Sequence, residues 1–201
     1  MRIFANCLEA MSEVHRDLFE IGIRVTPKTM QDKVIEGNKD FETIELQGYN
    51  FRILDTSDMD TMVEARGLNL QWCYDDLHER LSPTEINPGE AYKLREEWAE
   101  FVHEGKFAYT YNERIRTQLD KTIEILDNDK ETRQAVITIY EGAKDSENRL
   151  GKKRVPCSMY YQAIIRDGKL DLIYTMRSSD FMTHWPYDIW MAASIKNHIA
   201  S

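Results

Sequence analysis

The sequence is short of cysteine, short of proline and without a basic excess, and each shortage excludes something. Three cysteines, Cys7, Cys73 and Cys157, are scattered with no Cys-x-x-Cys pair. That pattern excludes a disulfide framework and a zinc site, and predicts reduced thiols in a cytoplasm. Lys and Arg number 26 against 35 Asp and Glu, a net charge of −9, which excludes a general binder of nucleic-acid backbone. No apolar run approaches the ~20 residues of a membrane span, and residues 1–10 lack the layout of a secretory signal. Repeats, low-complexity tracts and linkers are missing too. What is there is 201 residues, one domain's worth, able to bury roughly 70% of its unfolded surface. The acidity is uneven: the first hundred residues hold 21 of the acidic and 11 of the basic side chains, and the remainder is close to neutral.

Periodicity predicts a helix over residues 5–21, where Cys7, Leu8, Met11, Val14, Leu18, Phe19 and Ile21 fall at near-helical spacing. A polar loop between Pro27 and Gly37 follows, then a bent strand pair over 40–54 turning at Gly48. Helices are expected over 68–81, 90–102 and 113–126, the last with Ile115, Leu119, Ile123 and Leu126 on one face. The second half is richer in strands. Residues 135–140, AVITIY, are mostly β-branched. After a charged loop, 141–154, two strands over 158–166 and 169–177 flank Asp167-Gly168, a strong hairpin signal. A final helix opens near Pro186 and is apolar around most of its circumference, so it is expected to be buried. The pattern is α+β, a mixed sheet covered by helices.

The hairpin bears on Cys157. If Asp167-Gly168 is a two-residue turn, Arg166 pairs with Lys169, and stepping back along both strands sets Cys157 opposite Ser178 with Arg177 diagonal to it. A β-bulge would shift this register by one. Such cross-strand neighbours lie about 4.5–8 Å apart, within reach of an arginine, and a guanidinium near a thiol favours the nucleophilic thiolate. A free cysteine is more often a small buried residue, and that reading stands for Cys7 and Cys73. For Cys157 the preceding "KKRVP" supplies cations and a strand-opening proline.

The run "VPCSMYYQAIIRDGKLDLIYTMRSSDFMTHWPYDIWMA" resembles the thymidylate synthase superfamily: a Pro-Cys strand start, a Gln-bearing strand, an RDGKL turn, Arg-Ser-x-Asp and a Pro-aromatic helix entry, in order. Upstream, "DKETRQAVITIY" and "FAYTYNERI" resemble the family's arginine turn and tyrosine segment; "KDFETIELQGYNF" and "LNLQW" match more loosely. The resemblance implies a single thymidylate synthase-like domain over 1–201 and a homodimer associated through its sheet. It implies one-carbon transfer from 5,10-methylenetetrahydrofolate to carbon 5 of a pyrimidine nucleoside monophosphate. Cys157 would add to carbon 6, because carbon 5 is not nucleophilic until something does. Tyr111 matches the tyrosine at the carbon-5 proton. Arg177 and Ser178 match phosphate-binding residues, and Arg133 an arginine reaching across the dimer to that phosphate. Gln162 is assigned to the substrate with them, and Asp180 and Trp98 to the folate.

Departures refine the substrate. Asp188 stands where synthases have Asn; a carboxylate accepts from the cytosine N4 amino group, and its protonated form donates to N3. An acid in a first helical turn is also a common stabiliser of a helix start. The deoxycytidylate (dCMP) hydroxymethylase branch, known from phages, has Asp there and also departs from the usual His at the place of Ser158. The expected substrate is therefore dCMP or CMP, with dUMP the alternative. Arg95 falls near the place of a shielding tryptophan, which favours capture of the transferred carbon by water, hence hydroxymethylation. Gln134, Met176, Asn112 and Asn69 replace an Arg, a Gln, a Gly and a catalytic Glu. In the family, strands with a His-x-Tyr pair follow the last helix, whereas this sequence ends at Ser201. These last differences suggest a second alternative, a non-catalytic nucleotide-binding relative.

Overall fold

The computed structural model describes residues 1–30, 33–34, 38–147 and 154–201. Gly37 and residues 148–153, the part of the 141–154 loop that includes the two lysines ahead of Arg154, lie outside them. A short strand, β1 (Arg2–Phe4), leads into helix α1 (Cys7–Ile21). Asn6 caps α1 by accepting from Glu9 N–H at 2.9 Å, and the Asp58 carboxylate takes Cys7 N–H and Leu8 N–H at 3.0 Å each. These satisfy donors that a helix start leaves orphaned. Cys7, Ala10, Val14 and Asp17 form the buried face.

Strands β2 (Ile23–Val25), β3 (Thr29–Met30), β4 (Lys33–Val34), β5 (Thr43–Glu45) and β6 (Phe51–Ile53) follow. The expected 40–54 strand pair does not form. β5 pairs antiparallel with β2, β6 pairs parallel with β1, and β3 pairs with β4. The reason lies outside the segment: buried Asp17 on α1 receives Arg2 Nη1 at 2.5 Å and Tyr49 OH at 2.5 Å, drawing β1 and the approach to β6 together.

Helices α2 (Met59–Ala65) and α3 (Leu70–Leu81) are followed by two 3₁₀ turns, Ala91–Leu94 and Glu96–Phe101, in place of the single helix expected over 90–102. The break is Arg95, extended at φ −140° and ψ 92°, whose guanidinium is drawn into a slot between Trp72, Tyr187 and Trp98, 4.9, 4.7 and 5.4 Å from their centroids. The helix expected over 113–126 is likewise two, α4 (Tyr111–Ile115) and α5 (Leu119–Asn128). Between them Gln118 acts as a side-chain strand: its amide donates to Arg114 O and Thr138 O and accepts from Thr138 N–H.

The main sheet is antiparallel, in order β7 (Val136–Thr138), β8 (Ser158–Arg166), β9 (Lys169–Met176). A short helix, α6 (Gly142–Asp145), follows β7. Asp167 and Gly168 have φ 51° and 69°, positive at both central positions as a twist-matched two-residue hairpin requires. Tyr161, Ala163 and Ile137 are buried on one face, and α7 (Trp185–Ala200) packs against β9. As expected, α7 is apolar almost all round, with Trp185, Tyr187, Trp190, Met191, Ile195 and Ile199 buried. No helix among the described residues is long and apolar enough to cross a membrane.

Candidate active site

Cys157 sits at the entrance to β8, half-buried, whereas Cys7 and Cys73 are fully buried. The hairpin register holds from Arg166–Lys169 back to Tyr160–Thr175, then slips, so that Ser158 faces Met176. This bulge at Met159 corrects the expected pairing of Cys157 with Ser178: Arg177 is the cross-strand neighbour, its N–H donating to Cys157 O at 2.9 Å. Both residues still reach the thiol. Arg177 Nη2 and Ser178 Oγ each lie 3.7 Å from Sγ. Arg177 is fixed by donating to Pro156 O and Val155 O at 2.9 and 3.1 Å, yet its guanidinium stays exposed to solvent. A fixed cation beside a sulfur, open on one side, can pair with a thiolate and still meet an arriving anion.

Tyr111, the first residue of α4, lies on the inner side of the thiol. Its hydroxyl is 3.3 Å from Ser158 Oγ, and its ring lies 4.0 Å beneath the Arg80 guanidinium. Burial raises its phenol, while the Arg80 charge works the other way. Asn112 explains why no glycine is needed after this tyrosine. Its amide donates to Glu79 O and Ser82 O and accepts from Ile86 N–H, clamping α4 to the end of α3.

Asp188 occupies the first turn of α7, half-buried, with Ser179 Oγ donating to its Oδ2 at 2.7 Å. Burial pushes its carboxyl up to about 6, against the pull of Ser179, His184, Arg80 and Arg95. Asp180 goes the other way. The His184 imidazole, the Thr183 hydroxyl and Met182 N–H hold it well below the usual carboxylate range, despite some burial. It is an ionised acceptor on the loop that delivers α7.

Trp98 is half-buried, with the Arg154 guanidinium 5.0 Å from its ring and His184 on another side. A small cavity of about 40 Å³ reaches inward from Trp98 and Arg154 past Trp72 to Arg80 and Tyr111. Asn69 caps α3, accepting from Trp72 N–H and donating to Leu94 O. The structure does not bring Arg133 and Gln162 to this thiol. Gln162 alternates away from Tyr161 and Ala163 to the opposite face, where its amide donates to Arg133 O at 2.9 Å. The Arg133 guanidinium is exposed and has no partner among the described residues. Arg80, Tyr174 and His184 were not anticipated. Only Tyr174 left a signal, because the hairpin register alone sets it opposite Tyr161.

An α+β fold with an open thiol at a hairpin's root, an arginine and a serine on it, and an acidic helix start makes a candidate thiol site. The chain belongs to the thymidylate synthase family, whose model matches residues 45–201. Two relatives carry the name "Putative thymidylate synthase". That of Methanothermobacter marburgensis is 32% identical over 100 residues, 47% of this chain and 43% of its own. That of Methanosarcina barkeri is 30% identical over 115 residues, 52% of this chain and 51% of its own. The chain thus spans about half the length of the curated relatives it matches. The crystal structure of thymidylate synthase from T4 phage shares the fold at TM-score 0.54 and 21% identity, over 66% of this chain and 52% of that one.

Proposed function

We propose that this chain transfers one carbon to carbon 5 of a cytidine monophosphate, dCMP or CMP, by a covalent Cys157–pyrimidine route, with a hydroxymethyl product. The observation that carries it is the grouping of Cys157 Sγ with Arg177 and Ser178 at 3.7 Å, beside a carboxyl-bearing helix start at Asp188. Arg177 and Ser178 would take the phosphate, and Asp188 the exocyclic amino group and N3 of cytosine. Tyr111 would stand at the carbon-5 proton. The residues around Trp98 fit a folate: a half-buried indole, an arginine stacked on it without a carboxylate partner among the described residues, and an ionised acceptor at Asp180. Trp98 and Asp180 would hold methylenetetrahydrofolate, which supplies the carbon when bound. Arg95, buried beside Trp98, replaces apolar shielding with a charged wall and supports water as the final acceptor.

The far face of the sheet supports a homodimer. Val136, Thr138 and Ile173 are exposed there, and Arg133 and Gln162 adjoin them. On this reading Arg133 completes the partner's site, with Gln162 bracing its backbone.

The names of the relatives favour a second reading, a dUMP-directed synthase. Asn69, engaged as a helix cap and carrying no acid, favours a third, a nucleotide binder without turnover. Two measurements separate them. Mass spectrometry after incubation with a 5-fluoropyrimidine nucleotide and methylenetetrahydrofolate is expected to show an adduct on Cys157, lost in Cys157→Ser. No adduct means no covalent catalysis. Tritium release from carbon 5 is expected to be faster from dCMP than from dUMP; the reverse order defeats the role given to Asp188.

A further inference from the structure

Beneath the thiol lies a run of hydroxyl groups that the proposed chemistry has not used. Buried Ser158, next to Cys157, places Oγ 3.3 Å from the Tyr111 hydroxyl and 2.5 Å from that of Tyr174. A regular strand would send Ser158 and Tyr161 to opposite faces, since they are three residues apart. The bulge at Met159 puts both inward. Tyr174 faces Tyr161 directly across the ladder, and their rings stack at 4.6 Å.

Serine has one hydroxyl hydrogen. Ser158 gives it to Tyr111, so the short contact with Tyr174 runs the other way, with Tyr174 donating to Ser158. The hydrogens are ordered from Tyr174 through Ser158 to Tyr111, and the hydrogen of Tyr111 points away from Ser158. Burial raises the phenols of both Tyr111 and Tyr174, so neither is an anion near neutral pH and the order stands.

We propose that Tyr174, acting through Ser158, is a positioning residue that turns the Tyr111 hydroxyl outward for hydrogen exchange at carbon 5 of the bound pyrimidine. The inference rests on Cys157 being the nucleophile. In that exchange the sulfur lone pair forms the bond to carbon 6, the 5,6 π pair moves to carbon 5, and carbon 5 takes a proton from water. In reverse the carbon 5–hydrogen pair restores the double bond, the proton returns to water, and the sulfur–carbon 6 pair returns to sulfur. Tyr111, its hydrogen directed outward, holds that water. Without the Tyr174 hydroxyl, Ser158 is free to rotate and accept from Tyr111, which then lets the water go.

The test needs no folate. Carbon-5 exchange of dCMP, with dUMP in parallel, is followed by NMR in deuterated water for wild type, Tyr174→Phe and Ser158→Ala. Nucleotide Kd and Tm are measured alongside. One well-made hydrogen bond is worth ~1 kcal/mol or somewhat more, so Tyr174→Phe should exchange about tenfold more slowly with Kd unchanged within about twofold, whereas Ser158→Ala, which removes the inward acceptor itself, should stay near the wild-type rate. Tyr174→Phe exchanging at the wild-type rate overturns the inference. So does a parallel loss of affinity and exchange, which marks a merely structural role. Should Tyr174→Phe fail to fold, Ser158→Ala keeps both rings and still tests the inference: with the inward acceptor gone, a tenfold loss of exchange there overturns it. A wild type that neither exchanges carbon-5 hydrogen nor forms the Cys157 adduct brings down the proposed function and this inference together. Normal wild-type exchange with an unaffected Tyr174→Phe brings down this one alone.

Discussion

Asp188 has two claims on it, base recognition and helix-start stabilisation, and its protonation separates them. Its carboxyl, pushed up to about 6 by burial, holds a proton in the folded chain that the unfolded chain gives up near 3.9. The folded state therefore binds more protons between those values, and the stability this lends is complete below about pH 4 and lost as pH rises through about 6. A shift of this size corresponds to about 3 kcal/mol, to order of magnitude. Asp188→Asn cannot ionise, so it is expected to raise Tm at pH 7 relative to wild type, with the gap closing toward pH 4. Calorimetry across that range checks it. A variant that melts below wild type at pH 7 would show that the anion is an asset to the helix start, and the helix-start role would then suffice. The same substitution offers both a donor and an acceptor and should move carbon-5 tritium release toward dUMP.

At the scale of elements, α4 matters because its first residue is Tyr111, and a buried ion pair fixes its other end. Arg114, 3% exposed at its side chain, places Nη2 2.9 Å from Asp145 of α6 and Nη1 2.5 Å from Glu141. Removing Asp145 leaves buried Arg114 with only the half-exposed Glu141, at a cost below the ~3–5 kcal/mol of a fully stranded buried charge. Asp145→Ala should therefore lower the urea midpoint sharply, while Lys130→Ala, removing an exposed pair with Asp127, should shift it little. Equal shifts would show that α6 does not anchor α4. These elements also show where sequence patterns stop. The hairpin was legible because Asp-Gly accepts positive φ at both turn positions, and α7 because its apolar residues run all round. The breaks at Arg95 and Gln118 were not, since each side chain finds its partners in residues distant in sequence: Trp72, Tyr187 and Thr138. The bulge at Met159 carries no residue signature, so the thiol's neighbours were anticipated but their order across the ladder was off by one.

At the scale of the whole molecule, two residues assigned to the proposed site stand apart from the thiol. Cys157, Tyr111 and Asp188 gather on one side, while Gln162 lies with exposed Val136 and Ile173 on the other and donates to the backbone carbonyl of Arg133, whose exposed guanidinium has no partner among the described residues. In the proposed dimer, an isologous interface would bury the same face twice and deliver each Arg133 to the other chain's pocket. On that arrangement Cys157→Ser and Arg133→Ala are each inactive as homodimers, yet unfolding and refolding the two together should restore activity. Random pairing yields half hybrids, each with one intact site, so about a quarter of wild-type carbon-5 tritium release is expected. If Arg133 instead served its own chain, every dimer in the mixture would carry two broken sites and no activity would return. Ile173→Lys, placing a charge at the centre of the shared face, should give a monomer by light scattering. That monomer should keep its fold while losing turnover, because Arg177 and Ser178 would be left to hold the phosphate without the partner's arginine.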